Sequence, residues 1–262
     1  MPVGTTISCE KLIEGVLPAR VWSALTKAKD LTQWHSELIS GDLTSQASIE
    51  MRWPSLGLSM PIRVVSAESP NLVLLGEPAP GRSQEVSIQV IPKNGGSLVK
   101  LKHGGLSHQE EATSTKTGWL LSLGTLSLYL RHYDGKQRSC SGLIAQTKLS
   151  KDSLYTSICS PNLWLGETRD DLYRSDRIEI KIGNETSHAF VAERLPPSAI
   201  SLWFPKHRFL LMLRAIELEN LSGQVLCCAQ LFQWGTKTEI QGHIEEAVHT
   251  LGERSSGQLA QA

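Results

Sequence analysis

PARVWSALTKAKDLTQW at residues 18–34 sets how the rest of the chain is read, because a fainter copy returns at 151–164 as KDSLYTSICSPNLW. In that alignment Trp22 matches Tyr155, Leu25 matches Ile158 and Trp34 matches Trp164. The echo continues downstream. VVSAESPNLVLLGEP at 64–78 answers FVAERLPPSAISLWFP at 190–205, and PKNGGSLVKLKHGG at 92–105 answers LENLSGQVLCCAQLFQWG at 218–235, with offsets between 125 and 133 residues. A repeat of this length implies two copies of one globular unit.

Length and composition agree with that division. The chain has 262 residues, enough for two domains that each bury a core. Twenty-six basic side chains balance twenty-six acidic ones, so no global field favours nucleic acid or an acidic membrane surface. The opening MPVGTTISCEKLIEG lacks the charged and apolar regions of a signal peptide, and no run reaches the roughly 18–20 apolar residues of a membrane span. Five cysteines (Cys9, Cys140, Cys159, Cys227 and Cys228) lack C-x-x-C spacing, which suggests neither a disulfide framework nor a zinc site. A reduced, cytoplasmic protein without cofactor or metal is the expectation.

The periodicities place the elements. Residues 5–16 have strand composition, and Pro18 opens a helix that carries Val21, Trp22, Leu25 and Ala28 at helical spacing to Trp34. ASIEMRW, MPIRVVSAE, NLVLLGE, SQEVSIQVI and SLVKLKHG then read as strands, with a hairpin expected at Asn94-Gly95-Gly96. Trp119, Leu123, Leu126, Leu130 and Tyr133 mark one face of a long helix over 108–133. The second copy repeats the order with a short helix at 151–159 and strands within 172–234. A helix at 237–252 then carries Ile240, Ile244, Val248 and Leu251. The expected organisation is a first domain at 1–139, a linker at 140–147, a shortened second domain at 148–254 and a disordered tail at 255–262.

Short helix, curved antiparallel sheet and long C-terminal helix resemble the START-like (SRPBCC) superfamily, in which the sheet wraps the helix. PARVWSALT…LTQW looks like that family's opening. Gly118-Trp119 with Leu123, Leu126 and Tyr129-Leu130 is similar to its long helix, especially in homologues of the heat-shock ATPase activator. The resemblance covers 5–133 well and 148–254 more weakly, since the Gly-Trp motif is missing there. It implies an α+β fold of two tandem helix-grip units, each a curved antiparallel sheet on a long C-terminal helix.

Its implied function is plural. Some relatives are non-catalytic carriers, some are polyketide aromatase/cyclases, and some stimulate a heat-shock ATPase, so either an apolar small molecule or a chaperone is the expected partner. A bent sheet and one helix leave a space whose filling depends on side-chain size. Trp34, Trp53 and Trp119 could wall it and offer indole N–H groups to a ligand, with Trp164, Trp203 and Trp234 in similar places in the second copy. Met60, His103, Ser122, Leu123 and Leu126 complete the expected lining. A cyclase would need polar groups inside, for which Arg52, Tyr129 and His103 are the candidates, although a surface or capping role suits His103 better. Glu246 and His249 have the spacing of a metal half-site but no partner motif, and an exposed helix face explains them better. No P-loop, G-x-G-x-x-G, G-x-S-x-G or H-E-x-x-H motif occurs, so the reading leans away from an enzyme.

Overall fold

Alternating burial along the first strands shows how this chain makes a one-sided sheet. In β1 (Thr5–Glu14) Ile7, Cys9 and Ile13 point inward, and between them Ser8, Glu10 and Leu12 face out. The computed structural model describes residues 4–79, 81–160, 176–182, 185–218 and 224–235, with Gly242, Glu246 and residues 249–251. The chain divides into two compact units between Gln137 and Arg138.

The first unit is a seven-stranded antiparallel sheet in the order β1-β7-β6-β5-β4-β3-β2. Its other strands are β2 (Leu38–Ile39), β3 (Ser48–Trp53), β4 (Leu58–Glu68), β5 (Asn71–Ala79), β6 (Arg82–Lys93) and β7 (Gly96–Leu106). The expected hairpin is present: Lys93 pairs with Gly96 across a two-residue turn in which Gly95 takes a φ of 80°.

The opening helix is two helices. α1 (Pro18–Thr26) starts with proline in its first turn and ends at Lys27, whose extended backbone (ψ 127°) breaks the spiral. α2 (Ala28–Trp34) restarts because Asp42 accepts from the Ala28 N–H at 2.8 Å and from Lys27 Nζ at 3.0 Å. Those two bonds, the backbone one first, hold the Asp42 carboxyl below the usual carboxylate range.

The long helix α3 (Gln109–Leu128) packs on β1 and β7. It begins with a reciprocal cap: His108 Nδ1 accepts from the Glu111 N–H at 3.2 Å, and Glu111 accepts from the Ser107 N–H at 2.7 Å. After Leu128 it continues as a π-turn, Tyr129–Tyr133. There the Tyr129 hydroxyl donates to buried Asp30 at 2.8 Å, and the Arg20 guanidinium joins Asp30 to Asp134. This network ties α1, α2 and the end of the long helix together. Burial and the Asp30 charge push the Tyr129 hydroxyl up to about 12.

The second unit is a separate six-stranded antiparallel sheet, β8-β13-β12-β11-β10-β9. Its strands are β8 (Arg138–Thr147), β9 (Arg177–Ile182), β10 (Glu185–Leu195), β11 (Ala199–Phe204), β12 (Phe209–Leu218) and β13 (Gln224–Trp234), with α4 (Lys151–Ile158) after the first strand. Strand for strand this is the order of the first unit without its two-residue edge strand. Residues 140–147, expected as a linker, instead form most of β8, paired along its length with β13. Small residues there (Ser141, Gly142, Ala145) mimic linker composition, but eight ladder partners hold the segment in the sheet. Gly242, Glu246 and residues 249–251 are helical, and Leu251 is buried in the second core. Ile240, Ile244, Val248, Trp164 and the tail at 255–262 lie outside the described residues.

Candidate functional site

The site is built at one end of the first sheet's inner face, where register fixes which residues meet. Across that end run Gln84 of β6, Gly76 of β5, Ile62 of β4 and Ile49 of β3, each paired with the next. One pleat further in lie His103, Val86, Leu74 and Val64, also paired in series. Met60 pairs with Met51, and Trp53 follows Met51 on the same face of β3. Opposite them stand Trp119 and Ser122, three residues apart on α3, and His35 at the end of α2.

These residues divide by burial. Leu123 and Leu126 are 0% exposed and Trp34 is 2% exposed, so no water-sized space touches them and they are packed core. Trp53, Met60, Trp119, Ser122 and His35 are half-buried; of these, Trp53 and Trp119 meet around the His35 ring, and buried His103 bonds to Trp119. Of the expected lining, Trp34, His103, Leu123 and Leu126 are buried, and Trp53, Met60, Trp119 and Ser122 are half-buried.

Sequence reasoning missed the hub of the mouth. The His35 ring lies 5.3 Å from Trp119 and nearly parallel to it, 5.5 Å from Trp53 edge-on, and 5.1 Å from Trp34. A single histidine between a tryptophan and a serine carries no spacing signal. Only the break at Lys27, which starts α2 afresh and sets its end, turns His35 toward α3.

All three indole N–H groups are taken by the protein, so none is offered to a ligand. Trp34 donates to the Ala24 carbonyl at 2.9 Å, Trp53 to the His35 carbonyl at 3.0 Å, and Trp119 to His103 Nδ1 at 2.9 Å. A ligand at this mouth meets ring faces and edges.

The Trp119 bond defines the state of His103. An indole N–H only donates, so Nδ1 must be unprotonated and the proton sits on Nε2, 3.1 Å from Gln84 Oε1. Gln84 in turn donates to Glu111 at 2.9 Å, and Glu111 pairs with Arg82. Burial, partly offset by the Glu111 charge, pushes the imidazole down to about 4. His103 is thus neither a surface nor a capping residue, and at neutral pH it is a fixed neutral spacer that orients Trp119. His108 takes the cap.

The three cyclase candidates do not converge. Arg52 is exposed beside Glu50, and Tyr129 lies ten residues beyond Trp119, about 15 Å along the helix. Glu246 and His249 are exposed on helical turns, and no group of three metal-ligating side chains occurs among the described residues. None of the five cysteines is in a disulfide. No helix among the described residues is long and apolar enough to cross a membrane, which says nothing of β-barrels.

The second unit answers this site position by position. Counting from Ile13↔Ser97 and Thr147↔Val225, the strand pairing sets His103 against Leu231, Gln84 against Phe209 and Gly76 against Phe204. Gly76 pairs with Gln84 in one sheet, and Phe204 pairs with Phe209 in the other, their rings stacked at 4.3 Å. A Cβ on Gly76 would meet only Ile62 Cδ1 and Met60 Sδ, both at 3.4 Å, an ordinary contact distance. Trp203 and Trp234 do not correspond to Trp53 and Trp119: both lie on the face opposite the Ile200, Leu202 and Leu231 cluster.

Residues 16–131 match the family described as Activator of Hsp90 ATPase homolog 1-like protein, which bears out for the first unit the resemblance read from its opening helix and its Gly-Trp helix. No curated protein matches the sequence. Among solved structures, the Aha1 dimer from Colwellia psychrerythraea is 20% identical over 50% of this chain and 99% of its own, with a TM-score of 0.46. Protein MLL2253 from Mesorhizobium loti is 17% identical over 50% of this chain and 99% of its own, at 0.44. DynU16, a protein of the dynemicin biosynthetic locus, is 15% identical over 95% of each chain, at 0.45.

Proposed function

We propose that the first unit binds a hydrophobic or aromatic small molecule at the Trp53–His35–Trp119 mouth and acts on it as a non-catalytic carrier or sensor. The observation that carries this reading is the substitution of Gly76 and Gln84 for the stacked Phe204 and Phe209 of the second unit. The same fold is plugged with two aromatic rings at one site and left with a glycine at the other. Half-buried aromatic rims with few polar groups suit ligand faces. The neutral, doubly bonded His103 supports binding rather than proton transfer.

Titration of the full chain with 2-naphthol and with oleate tests the reading. Tryptophan fluorescence should quench saturably and the melting temperature should rise, since a ligand held only by the folded state stabilises it by about 2.7 kcal/mol at a hundredfold excess over its dissociation constant. Trp119→Ala should weaken binding by removing a wall of the mouth. Absence of both responses with both ligands refutes the reading.

A second reading has its own support. The floor beneath α3 is filled by Leu123, Leu126 and Trp34, and the matched family is named for an activator of an ATPase. On that basis the first unit is a protein-interaction module with a heat-shock ATPase as partner, which a stimulation assay with a purified Hsp90-type ATPase would test.

A further inference from the structure

The His35 imidazole stands where a ligand ring would stand. Three tryptophans surround it at ring separations of 5.1, 5.3 and 5.5 Å, and one of them, Trp119, lies parallel to it within 10°. Parallel stacking presents the indole face, which carries the negative side of the ring quadrupole. Such a face favours cations and electron-poor rings over electron-rich ones. Two of the three walls are fixed independently of His35's side chain: Trp34 by the Ala24 carbonyl and Trp119 by His103. Trp53 is held by the His35 backbone carbonyl, which stays in place whatever the side chain does. The box would therefore keep its shape when the imidazole leaves it. His35 itself is half-buried at the end of α2 with an irregular backbone (φ −117°, ψ −87°), so its ring has a route to solvent.

We propose that His35 is a built-in occupant of this tryptophan box, and that the ligand of the first unit is a flat, electron-poor or cationic single ring that displaces it. The proposal rests on the reading of the mouth as a ligand site and adds a chemical class and a gate to it. A gate of this kind weakens apparent affinity by the fraction of time the box is filled: occupancy of about 90–99% costs roughly ten- to a hundredfold.

The experiment compares N-methylpyridinium with its neutral isostere toluene on the wild-type chain and on His35→Ala, by calorimetric titration. The gate predicts that His35→Ala binds N-methylpyridinium about tenfold or more tighter than wild type does, and tighter than either protein binds toluene. If wild type binds and His35→Ala binds no tighter, the gate is overturned while the ligand-site reading stands. If neither protein binds either ring, both fall. A readout on the wild-type chain covers the case of a variant that misfolds. The His35 ring protons, stacked on the Trp119 indole face, should resonate upfield in the free protein and return toward their ordinary position as N-methylpyridinium saturates the site. Ring protons that keep their upfield shift at saturation overturn the proposal.

Discussion

The two units share a strand order but spend the same register positions on different chemistry. In the first, Gly76, Gln84 and His103 make a buried polar end beneath Trp119. In the second, Phe204, Phe209 and Leu231 close it with packed hydrocarbon. The sheets differ on their outer faces too. β7 alternates between buried Leu101 and exposed Lys100 and Lys102, whereas β12 and β13 bury Leu210, Met212, Cys228 and Phe232 as well as the cluster on the helix side. One topology therefore serves a half-solvated sheet with an accessible mouth and a sheet buried on both faces. On the proposed reading, the residues at three inner-face positions decide whether a helix-grip frame can hold a ligand.

The largest expected effect lies in the plugged unit. Phe209→Ala should destabilise it by about 3–5 kcal/mol, the range for emptying a buried aromatic site. Its counterpart Gln84→Ala should cost only about 1–2 kcal/mol, through the His103 N–H left without an acceptor. Urea melts of the two variants, read through hydrogen exchange of β12 and β6, check the contrast. Equal losses would erase the distinction between the two ends.

Leu126→Ala comes next. Its side chain is 0% exposed on the packed floor, so a loss of about 2–5 kcal/mol is expected, with ligand binding at the mouth unchanged. A small loss accompanied by altered affinity would put the ligand beneath α3 instead.

Acid should separate the units. The folded pKa of His103, about 4, lies below its ordinary 6.5, so its neutral form contributes stability that is complete above pH 6.5 and lost as pH falls from 6.5 to about 4. At pH 5 the loss is about 2 kcal/mol. His132, also depressed by burial, adds in the same direction, so the difference between wild type and His103→Gln isolates the effect. Protonated Nδ1 could no longer accept from Trp119, and Trp119 emission should shift over the same range. Parallel wild-type and His103→Gln stability profiles between pH 7 and pH 5 would rule this out.

The smallest stability effect belongs to Gly76→Phe, which copies the second unit's plug into the first. A Cβ there meets only the Ile62 and Met60 side-chain tips, so the expected cost is at the low end of the roughly 1–3 kcal/mol typical of overpacking, and the ring should abolish ligand binding. A cost at the top of that range would mean that the end was already full.

Much of this frame was legible in the chain. The internal repeat pointed to two units, and alternation located most strands because a one-sided sheet must alternate. β8 was hidden because Ser139, Ser141 and Gly142 give its first half a linker-like composition, although the pairing that sets Ile13 against Thr147 carries Ile7–Ile13 onto Ser141–Thr147. The site was half legible. Trp119, Trp53 and Met60 follow from face and period, but the mouth depends on residues whose role is positional. Gly76 lies in the repeated segment answered by 190–205, yet its match to Phe204 comes only from the strand register. His35 required the helix break at Lys27, made by Asp42 from a distant loop.

The central claim is that the first unit, and not the second, holds a ligand at its aromatic mouth. Indole N–H resonances of the full chain, assigned by single Trp→Phe changes and followed through titrations with N-methylpyridinium and with 2-naphthol, test it most directly. Trp53 and Trp119 should move saturably with one shared dissociation constant, while Trp203 and Trp234 stay fixed. Movement confined to Trp203 or Trp234, or no saturable movement at Trp53 and Trp119, would contradict it.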